Sequence, residues 1–358
     1  MPKIGLILVL LVSLFFQALG FPSSNALTKR LDIQCSRTAY EFRIKQTYDP
    51  IRGYAQAGVS LMTMYNSDIN GKGINGLPPG LRNIPEGAYK YFTEEAAKGV
   101  KKLFGLDKSS PNLGNTVVDI VAKYVGARKI EKSNVLVKCG TSWLQEEDDK
   151  GNPYSGEKPP EGEQAYWSTL HEDWAIMSPD NLCTGEDGSM GELFDFKKDP
   201  KQVMVICPKV FLEDQFNENE PQKILDSSSP SDLDTIMYST SLVVFHEYLH
   251  RLGLDDSEAD GHTVYDYTDL IKDFGSISPL KQVQTHLLFA VAAQFVLDGW
   301  NVNWDTENWK THLPNNIGFK MAFLYHKPAP TPCCLVPSAT AIEVPIIMKT
   351  TVALLVSK

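Results

Sequence analysis

The sequence predicts an α+β fold, and three observations carry that prediction. Residues 36–130 read mostly as helices and loops. Two short apolar runs, 134–137 (NVLV) and 203–207 (VMVIC), read as buried strands, and two helix-like runs, 233–252 and 279–298, complete the pattern. The expected architecture is a helical amino-terminal part, a small sheet, and two helices on the carboxyl side.

Taken in order, the chain opens with Lys3, an apolar run over 4–16, and small residues at Ala18 and Gly20. That pattern predicts a secretory signal peptide over 1–20. The run is shorter than the roughly 20 residues a bilayer crossing needs. Lys29-Arg30 then marks residues 21–30 as a short propeptide, with the mature chain beginning at Leu31 and secreted to the extracellular space. Beyond residue 30 the chain carries 44 acidic and 31 basic groups, a net charge of −13. So acidic a surface repels phosphate backbones and anionic lipid, which argues against nucleic-acid and membrane partners.

Tyr91 to Phe104 spaces apolar groups at 91, 92, 96, 100, 103 and 104, the stripe of an amphipathic helix. Residues 146–164 (EEDDKGNPYSGEKPPEGEQ) are acidic, rich in Pro and Gly, and without periodicity, and read as a solvated loop. Another polar stretch covers 218–232. The Pro-led run 279–298 presents Leu287, Leu288, Val291, Phe295 and Val296 as its apolar positions and reads as a core helix. A Pro-rich segment, 328–358, reads as a poorly ordered tail. There are no internal repeats, and a single domain over 31–325 is expected, helical over 31–130 and chemically active over 130–300.

All six cysteines (Cys35, Cys139, Cys183, Cys207, Cys333, Cys334) follow the signal segment. An even number in an exported chain predicts up to three disulfides. The adjacent Cys333 and Cys334 are expected to bond to different partners. No CxxC is present, so a cysteine zinc ribbon has no support.

One segment carries chemistry: His246-Glu247-Tyr248-Leu249-His250. Two histidines four apart project from one face of a helix, and both imidazoles can reach one Zn²⁺ at about 2.0–2.1 Å. Glu247, beside the first ligand, is placed to deprotonate a water. This is the HExxH arrangement of zinc peptidases. Leu242, Phe245, Leu249 and Leu252 are expected to form an apolar stripe on a different face from the histidines, and Gly253 to end the helix in the left-handed conformation. A third ligand must come from downstream, and three residues compete. Asp256 completes HExxHxxGxxD, a variant of the metzincin spacing. Asp260 and His262 are the others. His171, His286, His312 and His326 have no ligand-like spacing.

The segment 242–267 resembles the deuterolysin-type (aspzincin) metallopeptidases of fungi, which pair HExxH with a later ligand before a Tyr-Gly-aromatic piece. Tyr265-Asp266-Tyr267 is similar to that piece. The resemblance extends more weakly over 130–300, through the strand 203–207 with Pro208–Phe211 and through the closing helix. It implies a zincin-like metallopeptidase fold with an HExxH active-site helix. It places His262 at the third-ligand position, with Tyr265 or Tyr267 stabilising an oxyanion. This chain departs from the family in having His262 for Asp, Asp266 for Gly, and a longer gap after His250. The expected function is a secreted, monomeric zinc metalloendopeptidase with one Zn²⁺ per chain, acting on protein or peptide substrates. The departures leave a rival, a secreted zincin-fold binding module or effector without turnover.

Overall fold

The computed structural model describes residues 32–179, 182–183, 189–196, 199–212, 239–256, 258–259, 262–263, 270, 278–299 and 302–305. The fold class is the expected one, mixed α and β with a small sheet. Strand β1 (Asp32–Gln34) leads into a long helix α1 (Thr38–Ile69), followed by α2 (Glu86–Phe104) and α3 (Leu113–Ala127). The sheet strand β2 (Val135–Lys138) and a separate antiparallel unit, β3 (Leu144–Gln145), β4 (Gln164–Ser168) and β5 (Asp173–Met177), come next. A hairpin of β6 (Gly191–Phe196) and β7 (Asp199–Ile206) and a single turn α4 (Lys209–Leu212) precede helix α5 (Thr240–Arg251). A two-stranded ribbon, β8 (Glu258–Ala259) and β9 (His262–Thr263), separates it from helix α6 (Val283–Leu297).

Helix α2 begins five residues before the apolar stripe suggests. Pro85 occupies its N-cap, and Gly105, at φ 66°, ends it with its N–H on the Lys101 carbonyl. Leu106 N–H reaches back to the Val100 carbonyl, so the left-handed stop satisfies two terminal acceptors. Helix α1 runs through Pro50 without ending there, and Ile51, one residue on, is fully buried in the core. Every residue of α6 is buried, which is why its sequence is apolar all round rather than striped.

The four-stranded sheet has the order β1-β2-β7-β6; β1, β2 and β7 are parallel, and β6 runs antiparallel at the edge. Both faces of its central strands are buried. Val135, Val137, Met204 and Ile206 face the helical core. Leu136, Val203 and Val205 face a second apolar cluster, completed by Trp143, Tyr166 and Met177 from the β3-β4-β5 unit. That double burial explains why 203–207 reads as an unbroken apolar run instead of an alternating one.

Two disulfides fasten the sheet. Cys35 joins Cys139, tying the end of β1 to the end of β2, and Cys183 joins Cys207 just after β7. Cys333 and Cys334 lie outside the described residues, as do the expected signal peptide, the dibasic site and the Pro-rich tail. A further tie follows α6. Trp304 Nε1 donates to the buried Glu95 carboxylate at 2.9 Å, and Gly99 leaves room for the indole, since a Cβ there would sit 2.6 Å from Cη2. No described helix is long and apolar enough to cross a membrane.

Candidate metal centre

Helix α5 is fixed first by its own ends. Ser239 is the N-cap, its hydroxyl accepting from Leu242 N–H at 3.3 Å, and Gly253, at φ 75°, turns the chain after the last turn. The sequence expectation of a one-sided apolar stripe is corrected here. Residues Thr240 through Leu249 are all buried, because α1, α3, α6 and the β6–β7 hairpin enclose the helix. His246 (8% exposed) and Glu247 (5%) therefore lie inside the protein rather than on a solvent-facing surface. A helix buried over Thr240–Leu249 and carrying two histidines and a glutamate needs a polar arrangement to hold them.

That arrangement is present. His246 Nε2 and His250 Nε2 are 3.2 Å apart, and the turn after Gly253 brings Asp256 to both: Oδ1 lies 3.2 Å from His246 Nε2 and Oδ2 3.4 Å from His250 Nε2. Two imidazole nitrogens and the two oxygens of one carboxylate thus converge, one oxygen facing each ring. Around an ion with bonds of about 2.0–2.1 Å, neighbouring ligands of a tetrahedron lie about 3.3 Å apart, and each of the three contacts has that spacing. Among the described residues, His246, His250 and Asp256 are a group that could hold a metal ion. The outer ring nitrogens are occupied as well. His246 Nδ1–H donates to Gln284 Oε1 of α6 at 3.3 Å, and His250 Nδ1–H donates to the Leu254 carbonyl at 3.0 Å. Those bonds occupy Nδ1 of each ring and leave Nε2 as the atom turned to the carboxylate, where it can carry a proton or, once that proton is released, bind a metal.

The electrostatics agree with the geometry. Burial works to lower the His250 pKa, but its hydrogen bond with Asp256 and the charges of Glu247 and Asp256 outweigh it, raising the group to about 9. Burial would raise Asp256; the two histidines reverse this and hold its carboxyl well below the usual range. The pocket is one in which a positive charge is favoured.

Glu247 sits next in sequence to His246, fully enclosed, and burial raises its pKa against the pull of both histidines. Its carboxylate packs on the edge strand: a Cβ at Gly191 would lie 2.7 Å from Glu247 Cγ, so only glycine fits there. The neighbouring Glu192 is a site residue that sequence reading misses. Burial, then the charge of Glu247, raises it to about 8, with Asp256 adding and His250 opposing. Nothing in GELFDF distinguishes that acid from any other strand residue.

Of the residues expected from sequence, His246, Glu247 and His250 are brought together, and Asp256 is the third member the structure places with them. The backbone of His262 pairs with Ala259 in the β8–β9 ribbon; its side chain lies outside the described residues. Asp260, Tyr265 and Tyr267 also lie outside them. The other described histidines keep away from metal-type geometry. His171 stacks on Phe196 with centroids 3.9 Å apart, and His286 bonds through Nε2–H to the Leu280 carbonyl. Comparison with models of known protein families, with curated proteins and with solved structures finds no match to this chain.

Proposed function

We propose that the chain is a zinc-dependent metallopeptidase, secreted and acting on protein or peptide substrates, with His246, His250 and Asp256 as the metal ligands and Glu247 as the general base. One observation carries the reading: two imidazole nitrogens and one carboxylate converge at metal-ligand spacing, with a buried glutamate beside them. Two imidazoles and a carboxylate suit zinc, and structural zinc sites are more often closed by cysteines. This ligand set corresponds to HExxHxxGxxD and so favours the metzincin-like spacing over the His262 ligand that the deuterolysin-type resemblance implies.

Zinc, when bound, would polarise a scissile carbonyl and lower the pKa of a water molecule. The chain's own part is proton handling and positioning. Glu247 Oε would accept a proton from the attacking water and deliver it to the leaving nitrogen, a task helped by burial, which raises its pKa and so its basicity. Gly191 keeps the strand close enough to hold that carboxylate in one position. Gln284 and the Leu254 carbonyl orient the imidazoles.

Replacing Glu247 by Gln tests this. Removal of a general base is expected to lower the casein-cleavage rate by about 10³-fold, with bound zinc unchanged at one per chain. Wild-type rates in Glu247→Gln would eliminate the assigned base. Stoichiometric zinc with no cleavage in the wild-type chain would favour the non-catalytic binding-module reading.

A further inference from the structure

The β3-β4-β5 unit has two dissimilar faces. The inner one, with Tyr166 and Met177, closes the second apolar cluster against the sheet. The outer one is made by the other phase of the alternation. The register places Gln145 beside Trp167 and Trp167 beside Trp174, and places Ala165 beside Ile176 in the adjoining row. Tyr154, from the preceding loop, leans on Trp174 with centroids 5.2 Å apart, and Trp174 meets Trp167 at 5.5 Å. The three rings remain half-buried, Ile176 is 43% exposed, and Leu170, at the hairpin tip, is 37% exposed. A solvated sheet face ordinarily carries polar residues; a row of aromatic and β-branched side chains there marks an interaction surface.

Charge decides what fits it. Residues 144–177 hold nine carboxylates (Glu146, Glu147, Asp148, Asp149, Glu157, Glu161, Glu163, Glu172, Asp173) against Lys150 and Lys158 alone. One of them, Asp149, accepts from Trp167 Nε1 at 3.1 Å, so negative charge reaches the rings themselves. Indole faces attract cations through their quadrupole, and guanidinium groups stack on them while their stems cover apolar neighbours. An anionic partner would be repelled, and a neutral one would gain nothing from the carboxylates. We propose that this face docks an arginine- or lysine-rich polypeptide segment, with Trp167, Trp174 and Ile176 as the apolar floor and the surrounding carboxylates as the counter-charge. The face shares no residue with the metal centre and does not depend on the peptidase reading.

The test uses a fluorescein-labelled peptide alternating Arg and Ser, and the same peptide with citrulline for Arg, titrated by anisotropy into the full chain carrying Glu247→Gln so that the probe stays intact. The arginine peptide is expected to bind at least tenfold more tightly than its neutral citrulline counterpart, and more weakly as salt rises. Trp174→Ala and, separately, Ile176→Ser should each weaken it about tenfold, and Glu161→Gln combined with Glu163→Gln a few-fold. Unchanged far-ultraviolet circular dichroism and urea midpoint of each variant show that the chain has kept its fold. Equal binding of the citrulline peptide overturns the proposal, as does full binding by both Trp174→Ala and Ile176→Ser. A chitin oligomer that displaces the peptide's place by binding the face, with no arginine preference, overturns it in favour of a glycan.

Discussion

Helices α5 and α6 pack against each other, and each carries a histidine held largely out of solvent, His250 half-buried and His286 fully buried; the two histidines are driven in opposite directions. Burial lowers His286 on α6 to about 4, with the charge of Lys123 adding and the Leu280 hydrogen bond opposing. On α5, His250 rises to about 9 because Asp256 and Glu247 overcome the same burial. His286 is held between Phe104 and Tyr124, with edge-to-face contacts at 5.1 and 5.9 Å and no described partner for Nδ1. The contrast shows that a buried imidazole is not in itself a sign of chemistry. What distinguishes the metal centre is the acids that share its pocket.

The largest way to break that contrast is to remove the carboxylate. Asp256→Ala should lower zinc affinity by about 10³-fold or more, since it deletes one of three ligands and leaves two facing imidazoles without a counter-charge. Isothermal titration with a competing chelator reads this, and His262→Ala in parallel should leave affinity nearly unchanged. The reverse outcome would restore His262 as the ligand and leave Asp256 with a positioning role.

His286 provides the next effect, in stability. In the unfolded chain it takes up a proton near its ordinary value of 6.5, but in the folded chain only near 4. The unfolded state therefore binds more protons between those values, and stability falls as pH drops from 6.5 toward 4. The full shift corresponds to about 3 kcal/mol. Urea denaturation at pH 7 and pH 4.5 should show the loss in the wild type and a clearly smaller one in His286→Phe. An equal slope in both would mean that other groups set the acid sensitivity.

The two helices also differ in how much of them the sequence discloses. The spacing of His246, Glu247 and His250 is local, so a single helical turn dictates their proximity, and they are legible without coordinates. The apolar run 279–298 is equally plain, and the structure keeps Val283–Leu297 of it as helix. Asp256 stood as one of three open choices. Its selection depends on the turn at Gly253, which hands the chain back to the helix. Glu192 and Gly191 are unreadable because they reach Glu247 across a strand-to-helix contact more than fifty residues away in sequence. The β3-β4-β5 unit escapes for a related reason: its strands flank the long acidic loop, and only their pairing shows which aromatic residues share a face.

A finer adjustment separates the metal-bearing helix from its neighbour without touching a ligand. Gln284 lies on α6, yet its Oε1 accepts from His246 Nδ1–H, so α6 contributes an orienting bond to the histidine of α5. Gln284→Leu keeps the volume and the apolar surroundings of α6 while deleting the acceptor. The His246 Nδ1–H loses that acceptor, and with it part of the tautomer preference that directs Nε2 to the metal. Zinc affinity should fall about tenfold, at the lower end of what such supporting bonds contribute, with thermal stability of the metal-free chain little altered. Gln284→Glu restores an acceptor and should recover most of the affinity. If Leu and Glu at 284 behave alike, the two helices meet there by packing alone and His246 is oriented by its own backbone.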